Sequence, residues 1–96
     1  MKRLSDQQAS DGVSLPWRSR GAAPAAGRSF GATVGMARCT RFEGVHFAAK
    51  GNDIEVAMIG AKSPEPCTNE WRTAVVRVAW PSDIPGRGSV THAPTG

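Results

Sequence analysis

The sequence predicts a small α+β fold: an antiparallel β-hairpin packed on one C-terminal helix, between long disordered N- and C-terminal segments. Three observations predict it. Two runs of alternating apolar and polar residues flank the turn cluster Lys50-Gly51-Asn52-Asp53. Trp71, Ala74, Val75 and Val78 follow at i, i+3, i+4 and i+7, the spacing of an amphipathic helix. Residues 1–35 and 82–96 show no periodicity and are rich in Gly, Ala, Pro and Ser.

Residues 1–35 are expected to be disordered, with Gly21-Ala22-Ala23-Pro24-Ala25-Ala26-Gly27 as linker-like sequence. Gly27, Gly31 and Gly35 give a small-residue spacing that has meaning only between helices in a bilayer, a context this stretch lacks. The patterned unit is assigned to 36–81, and Met36 is read as a candidate start. In the hairpin Val45 and Phe47 share one face, while Phe42, His46 and Ala48 share the other. Gly44 marks a bulge or bend. Ile54, Val56 and Met58 form the apolar face of the returning strand.

Ala61 to Cys67, with Pro64 and Pro66, is expected to be an extended connector. Thr68 or Asn69 then caps a helix beginning near Trp71, Glu70 suits its first turn and Pro81 ends it. A strand is the competing assignment, because Val75, Val76 and Val78 are β-branched. Residues 82–96 are expected to form a disordered tail.

Length and composition limit function. The 96 residues allow one small domain. Leu, Ile, Val and Phe supply 16 of them, below the ~20% at which chains struggle to bury a core. A unit as short as 36–81 seldom folds by itself, so its core is expected to be completed by a protein partner or by self-association. No apolar stretch approaches a membrane span or a signal-peptide core. Cys39 and Cys67 are then most simply reduced thiols in a cytoplasmic protein, with a disulfide as the alternative. The net charge of +4 comes from dispersed arginines, with Trp17-Arg18-Ser19-Arg20 the densest run.

The sequence carries no assignable catalytic or metal-binding pattern. Cys39, His46, Cys67 and His92 match no compact zinc spacing. Cys67 before a helix start would be at most a redox-sensitive thiol, and Asp53 with Glu55 read as a turn residue and an exposed strand residue. No nucleotide-binding, nucleophile-elbow or metalloprotease pattern is present. No cofactor is implied. The chain is therefore expected to be non-enzymatic.

The hairpin–helix surface expected to meet a partner is carried by Trp71, Trp80, Arg72, Arg77 and Phe47. Trp71 belongs to the apolar stripe, and its loss is expected to cost roughly 3–5 kcal/mol. Trp80, next to Pro81, is expected to be partly exposed and available as an anchor. The alternative is a basic nucleic-acid-binding module using Arg38, Arg41, Arg72 and Arg77. A chain without selected function would also fit an Ala-, Gly-, Arg- and Pro-rich composition.

Gly51-Asn52-Asp53-Ile54-Glu55-Val56-Ala57, Lys62-Ser63-Pro64 and Glu70-Trp71-Arg72, in that order, with Trp17-Arg18-Ser19 upstream, resemble a family of small uncharacterised-domain proteins of filamentous actinomycetes, encoded beside helix-turn-helix regulators. Asp53 stands where that family carries Cys, and the segment from Met58 to Ala61 is shorter than the family's. The resemblance implies a regulatory protein that binds a helix-turn-helix transcriptional regulator.

Overall fold

The computed structural model describes residues 2–62 and 70–95. It replaces the hairpin-plus-helix expectation with two packed β-sheets and one short helix. The elements are α1 (Asp6–Asp11), β1 (Val13–Leu15), β2 (Trp17–Ser19), β3 (Phe30–Ala37), β4 (Thr40–Lys50), β5 (Asp53–Lys62), β6 (Trp71–Val78) and β7 (Ser89–His92). One sheet has the order β1-β5-β4, with β7 running parallel to β5; the other has the order β2-β3-β6. The chain changes sheets at Pro16, and again at Arg38-Cys39 between β3 and β4.

The hairpin read from the sequence is present as β4–β5. Lys50 pairs with Asp53, and Gly51 takes a φ of 62°, a left-handed conformation that glycine adopts without steric penalty. The register shifts between Phe42 and Gly44. That bulge reverses the alternation upstream of it, so Phe42 packs against the same core as Val45 and Phe47 rather than facing away from it.

The segment expected to be disordered is structured over residues 2–35. Ser5 caps α1 through a capping box with Gln8: its hydroxyl accepts from Gln8 N at 3.2 Å, while Gln8 Oε1 accepts from Ser5 N at 2.9 Å. Leu4 N donates to Val45 O, and Val45 N donates to Lys2 O, which covers part of the β4 edge. Leu4 is buried with Ala57 and Ile59, against Ala9 of the helix, on the outer side of the first sheet. β1 and β2 follow, and β3 begins at Phe30.

β3 alternates Phe30, Ala32, Val34 and Met36 into the core with Gly31, Thr33, Gly35 and Ala37 outward. This period of two is weak in sequence because glycine and alanine are poor strand residues. The C-terminal helix is absent: residues 71–78 form strand β6, paired antiparallel with all of β3 from Phe30↔Val78 to Ala37↔Trp71. Its β-branched residues fit a strand better than a helix, and Ala74, Val76 and Val78 face inward. The tail is also structured where β7 pairs with β5 through Ile54↔Val90. The connector and helix cap expected over 63–69, including Cys67, lie outside the described residues.

The main core lies between the sheets. Its fully buried members include Val34, Met36, Val56, Met58 and Val78. The radius of gyration is 13.3 Å, close to the ~13 Å of a folded domain of about 100 residues. The small number of large aliphatic side chains is offset by alanine, methionine and tryptophan, which fill the space between the sheets among the described residues. Cys39 is disulfide-bonded, which corrects the expectation of a reduced thiol there.

Two outcomes follow from this packing. Met58→Ala, at a site with no exposed surface, lowers stability by about 2–5 kcal/mol in urea titrations, and a loss below about 1 kcal/mol would contradict this core. Under native, non-reducing conditions Cys39 takes up no alkylating reagent, and reduction lowers the urea midpoint by the equivalent of about 2–5 kcal/mol. Labelling of Cys39 in unreduced, folded protein would contradict the disulfide.

Candidate functional site

Strand parity sorts the residues of the three-stranded sheet into a buried side and an open one. Trp17 pairs with Val34 and faces the core, so Arg18, opposite Thr33, faces outward. Arg20 continues that edge: its N–H donates to Gly31 O, and its Cβ is 3.7 Å from where a Gly31 Cβ would lie. On the other edge Trp71, Thr73, Val75 and Arg77 are exposed and lie opposite Ala37, Gly35, Thr33 and Gly31. The face therefore reads in rows: Arg20, Gly31, Arg77; then Arg18, Thr33, Val75; then Pro16, Gly35, Thr73; then Ala37 and Trp71.

Trp71 leans over Gly35. A Cβ on Gly35 would stand 2.6 Å from Trp71 Cζ2 and 3.0 Å from Cε2 and Nε1, so the absence of a side chain there gives the indole its seat. The ring keeps 62% of its surface exposed, and Val75 keeps 63%. These are the two large exposed hydrophobic residues among those described, and both belong to this face. Between Trp71, Thr73 and Arg18 lies a shallow depression of about 510 Å³, floored by Thr33 and Gly35.

The electrostatics of the face are one-sided. Arg18, Arg20 and Arg77 form no ion pair among the described residues. No described Asp or Glu shares the outward positions of these strands. The carboxylates are held elsewhere: Asp6 Oδ1 lies 2.7 Å from His46 Nε2, Glu43 accepts from Arg41, Glu55 pairs with Lys50, and Glu70 pairs with Arg38. Asp83 accepts a hydrogen bond from Arg3, and that bond holds its carboxyl below the usual carboxylate range.

The residues singled out from sequence separate into different places. Phe47 is buried in the core at 5% exposure. Trp80 is half-buried: its Nε1 donates to Ile84 O at 3.1 Å, and its ring meets Phe47 edge-on with centroids 5.4 Å apart. Trp71, expected in the core, is exposed. Arg72 donates from Nη2 to Thr40 O at 3.0 Å, and Arg38 donates to Glu70 at 2.7 Å. Arg41 donates twice to Glu43 Oε1, at 2.8 and 3.1 Å. Of the four arginines first considered together, Arg77 alone belongs to the open face. Arg18 and Arg20 were missed, although their i, i+2 spacing after Trp17 is the signature of one strand face.

The candidate metal ligands do not converge. Cys39 is in a disulfide, His46 lies beside Asp6, and His92 stacks on Trp17 with ring centroids 3.8 Å apart; Cys67 lies outside the described residues. Among the described residues no group of three His, Cys, Asp or Glu side chains is gathered, and no helix is long and apolar enough to cross a membrane.

Trp71, expected in the core, is exposed, while Trp80 is partly exposed as expected but packs its ring against Phe47. Trp71→Ala changes unfolding free energy by less than about 1 kcal/mol, as for an exposed site, whereas Trp80→Ala lowers it by about 3 kcal/mol; chemical denaturation of both variants checks this, and equal losses would contradict the assignment. Comparison with known proteins finds no matching family model, no matching curated protein and no matching solved structure.

Proposed function

We propose that this chain is a non-enzymatic binding module that engages an anionic macromolecule through the outer face of the β2-β3-β6 sheet. The observation that carries this reading is the gathering of Arg18, Arg20 and Arg77, without carboxylate partners among the described residues, on the face that exposes Trp71. Guanidinium groups match phosphate, sulfate and carboxylate oxygens in a two-pronged geometry, and Arg is enriched with Trp at binding surfaces. The disulfide at Cys39 supports an oxidising compartment rather than the cytoplasm.

A second reading, that of a regulatory protein binding a protein partner, draws on β6. Among the described residues its outer edge pairs with no strand, and Val75 is exposed beside it, a combination that suits addition of a strand from another protein. The resemblance to partners of helix-turn-helix regulators belongs with this second reading. Within its motif Ile54 and Val56 are buried core residues, while Trp71 and Arg72 are exposed.

Titration with long-chain inorganic polyphosphate across a salt series tests the first reading. Affinity falls linearly on a log–log plot against salt, and Arg18→Ala, Arg20→Ala and Arg77→Ala each reduce the slope by about 1. Arg41→Ala, whose guanidinium is held by Glu43, leaves the slope unchanged. Absence of binding at low salt, or an equal effect of Arg41→Ala, would remove the reading.

A further inference from the structure

Building on the anionic-ligand reading of this face, we infer that its ligand is single-stranded nucleic acid, with a base stacked on Trp71 and phosphates held by Arg18, Arg20 and Arg77. Charge sets the class of ligand, and Trp71 narrows it. Polyphosphate or a sulfated chain would satisfy three arginines but has no use for an indole with 62% of its surface open. A base stacks on such a ring whatever its identity, and tryptophan with arginine is the usual pairing in sequence-tolerant single-strand binding.

Three further features favour a single strand. Gly31 lowers the face between Arg20 and Arg77, so a phosphate can approach the backbone of β3 there, while Gly35 is covered by the Trp71 ring that it seats. Sugar recognition needs amide and carboxylate side chains around the aromatic ring; the outward positions of β2, β3 and β6 carry no Asn, Gln, Asp or Glu, only the hydroxyls of Thr33 and Thr73. A duplex buries the faces of its bases in the stack and so offers no free base to the Trp71 ring. From Trp71 to Arg77 is six strand residues, about 20 Å, and the β2 arginines lie about 10 Å across the sheet. That area suits a short run, toward the lower end of the roughly 4–16 nucleotides covered by single-strand-binding domains.

The intact, oxidised chain is titrated with an oligothymidylate of about ten nucleotides, with an abasic deoxyribose-phosphate oligomer of the same length, and with a sulfated polysaccharide, at equal salt. Trp17 is buried and Trp80 packs its ring on Phe47, so the part of the ligand-dependent quenching of indole emission that Trp71→Phe removes reports Trp71. Oligothymidylate quenches and binds tightest. Trp71→Ala weakens its binding by about 5- to 150-fold without changing affinity for the abasic oligomer, and Trp71→Phe recovers part of the loss. Gly35→Ala, which pushes the ring off its seat, weakens oligothymidylate binding while the circular dichroism spectrum is unchanged. Equal affinity for the abasic and base-bearing oligomers, or tighter binding of the sulfated polysaccharide, would overturn the nucleic-acid inference and leave the anionic-ligand reading standing. No binding to any of the three would overturn both.

Discussion

Trp17 holds the two sheets together at the point where the chain passes from one to the other. Its indole is buried, stacks on Phe30 at 5.7 Å and on His92 at 3.8 Å, and donates from Nε1 to Val56 O at 3.1 Å. Val56 lies on the opposite sheet and also accepts from Ala93 N. One side chain therefore links β2, the centre of β5 and the strand β7. A buried indole without a partner for its N–H would forfeit about 1–3 kcal/mol of desolvation free energy, so the carbonyl across the core makes the burial favourable. Because Trp17 must face inward, Arg18 and Arg20 must face outward. The open face follows from the same constraint that closes the core.

The core shows how a chain poor in leucine and isoleucine can still fold. β3 presents Phe30, Ala32, Val34 and Met36, and Val78 from the neighbouring β6 and Met58 from β5 of the opposite sheet meet them with almost no exposure. Small side chains let the sheets approach, methionine fills irregular gaps, and a disulfide at Cys39 adds a covalent restraint. The expectation that a partner completes the core rests on the count of Leu, Ile, Val and Phe and on the shortness of the unit 36–81. The structure adds Trp17, Phe30, Ala32, Val34 and Met36, from outside or at the boundary of that unit, to the same cluster.

What was legible in the sequence depended on the strength of local periodicity. Ile54, Val56 and Met58 opposite Val45 and Phe47, joined through Gly51-Asn52, carry the hairpin in plain view. β3 was hidden because Gly31, Thr33 and Gly35 alternate with residues as small as Ala32, leaving little contrast between its faces. β6 was misread for another reason: Ala74 and Val78 belong both to a helical stripe and to the inward side of a strand, so the pattern fitted either period. Trp71 and Val75 completed the stripe and broke the tie wrongly; tertiary pairing along the whole of β3 decided for the strand. Half of the candidate site was invisible for the same cause, since Arg18 and Arg20 acquire a common direction only when β2 is recognised as a strand.

Surface arginines on edge strands have an ordinary use, because charge there discourages pairing with other chains. That use accounts for Arg77 on β6 and Arg18 on β2, both edges of the three-stranded sheet. It does not account for Trp71. A bulky ring on an edge strand attracts the very association that the arginines discourage, and at 62% exposure it contributes little to the core. Nor is the ring merely loose, since Gly35 gives it a defined seat that a single methyl group would fill. A residue that is positioned by the fold, exposed to solvent and set on the face that carries Arg18, Arg20 and Arg77, none of them ion-paired among the described residues, is better explained by a ligand than by stability.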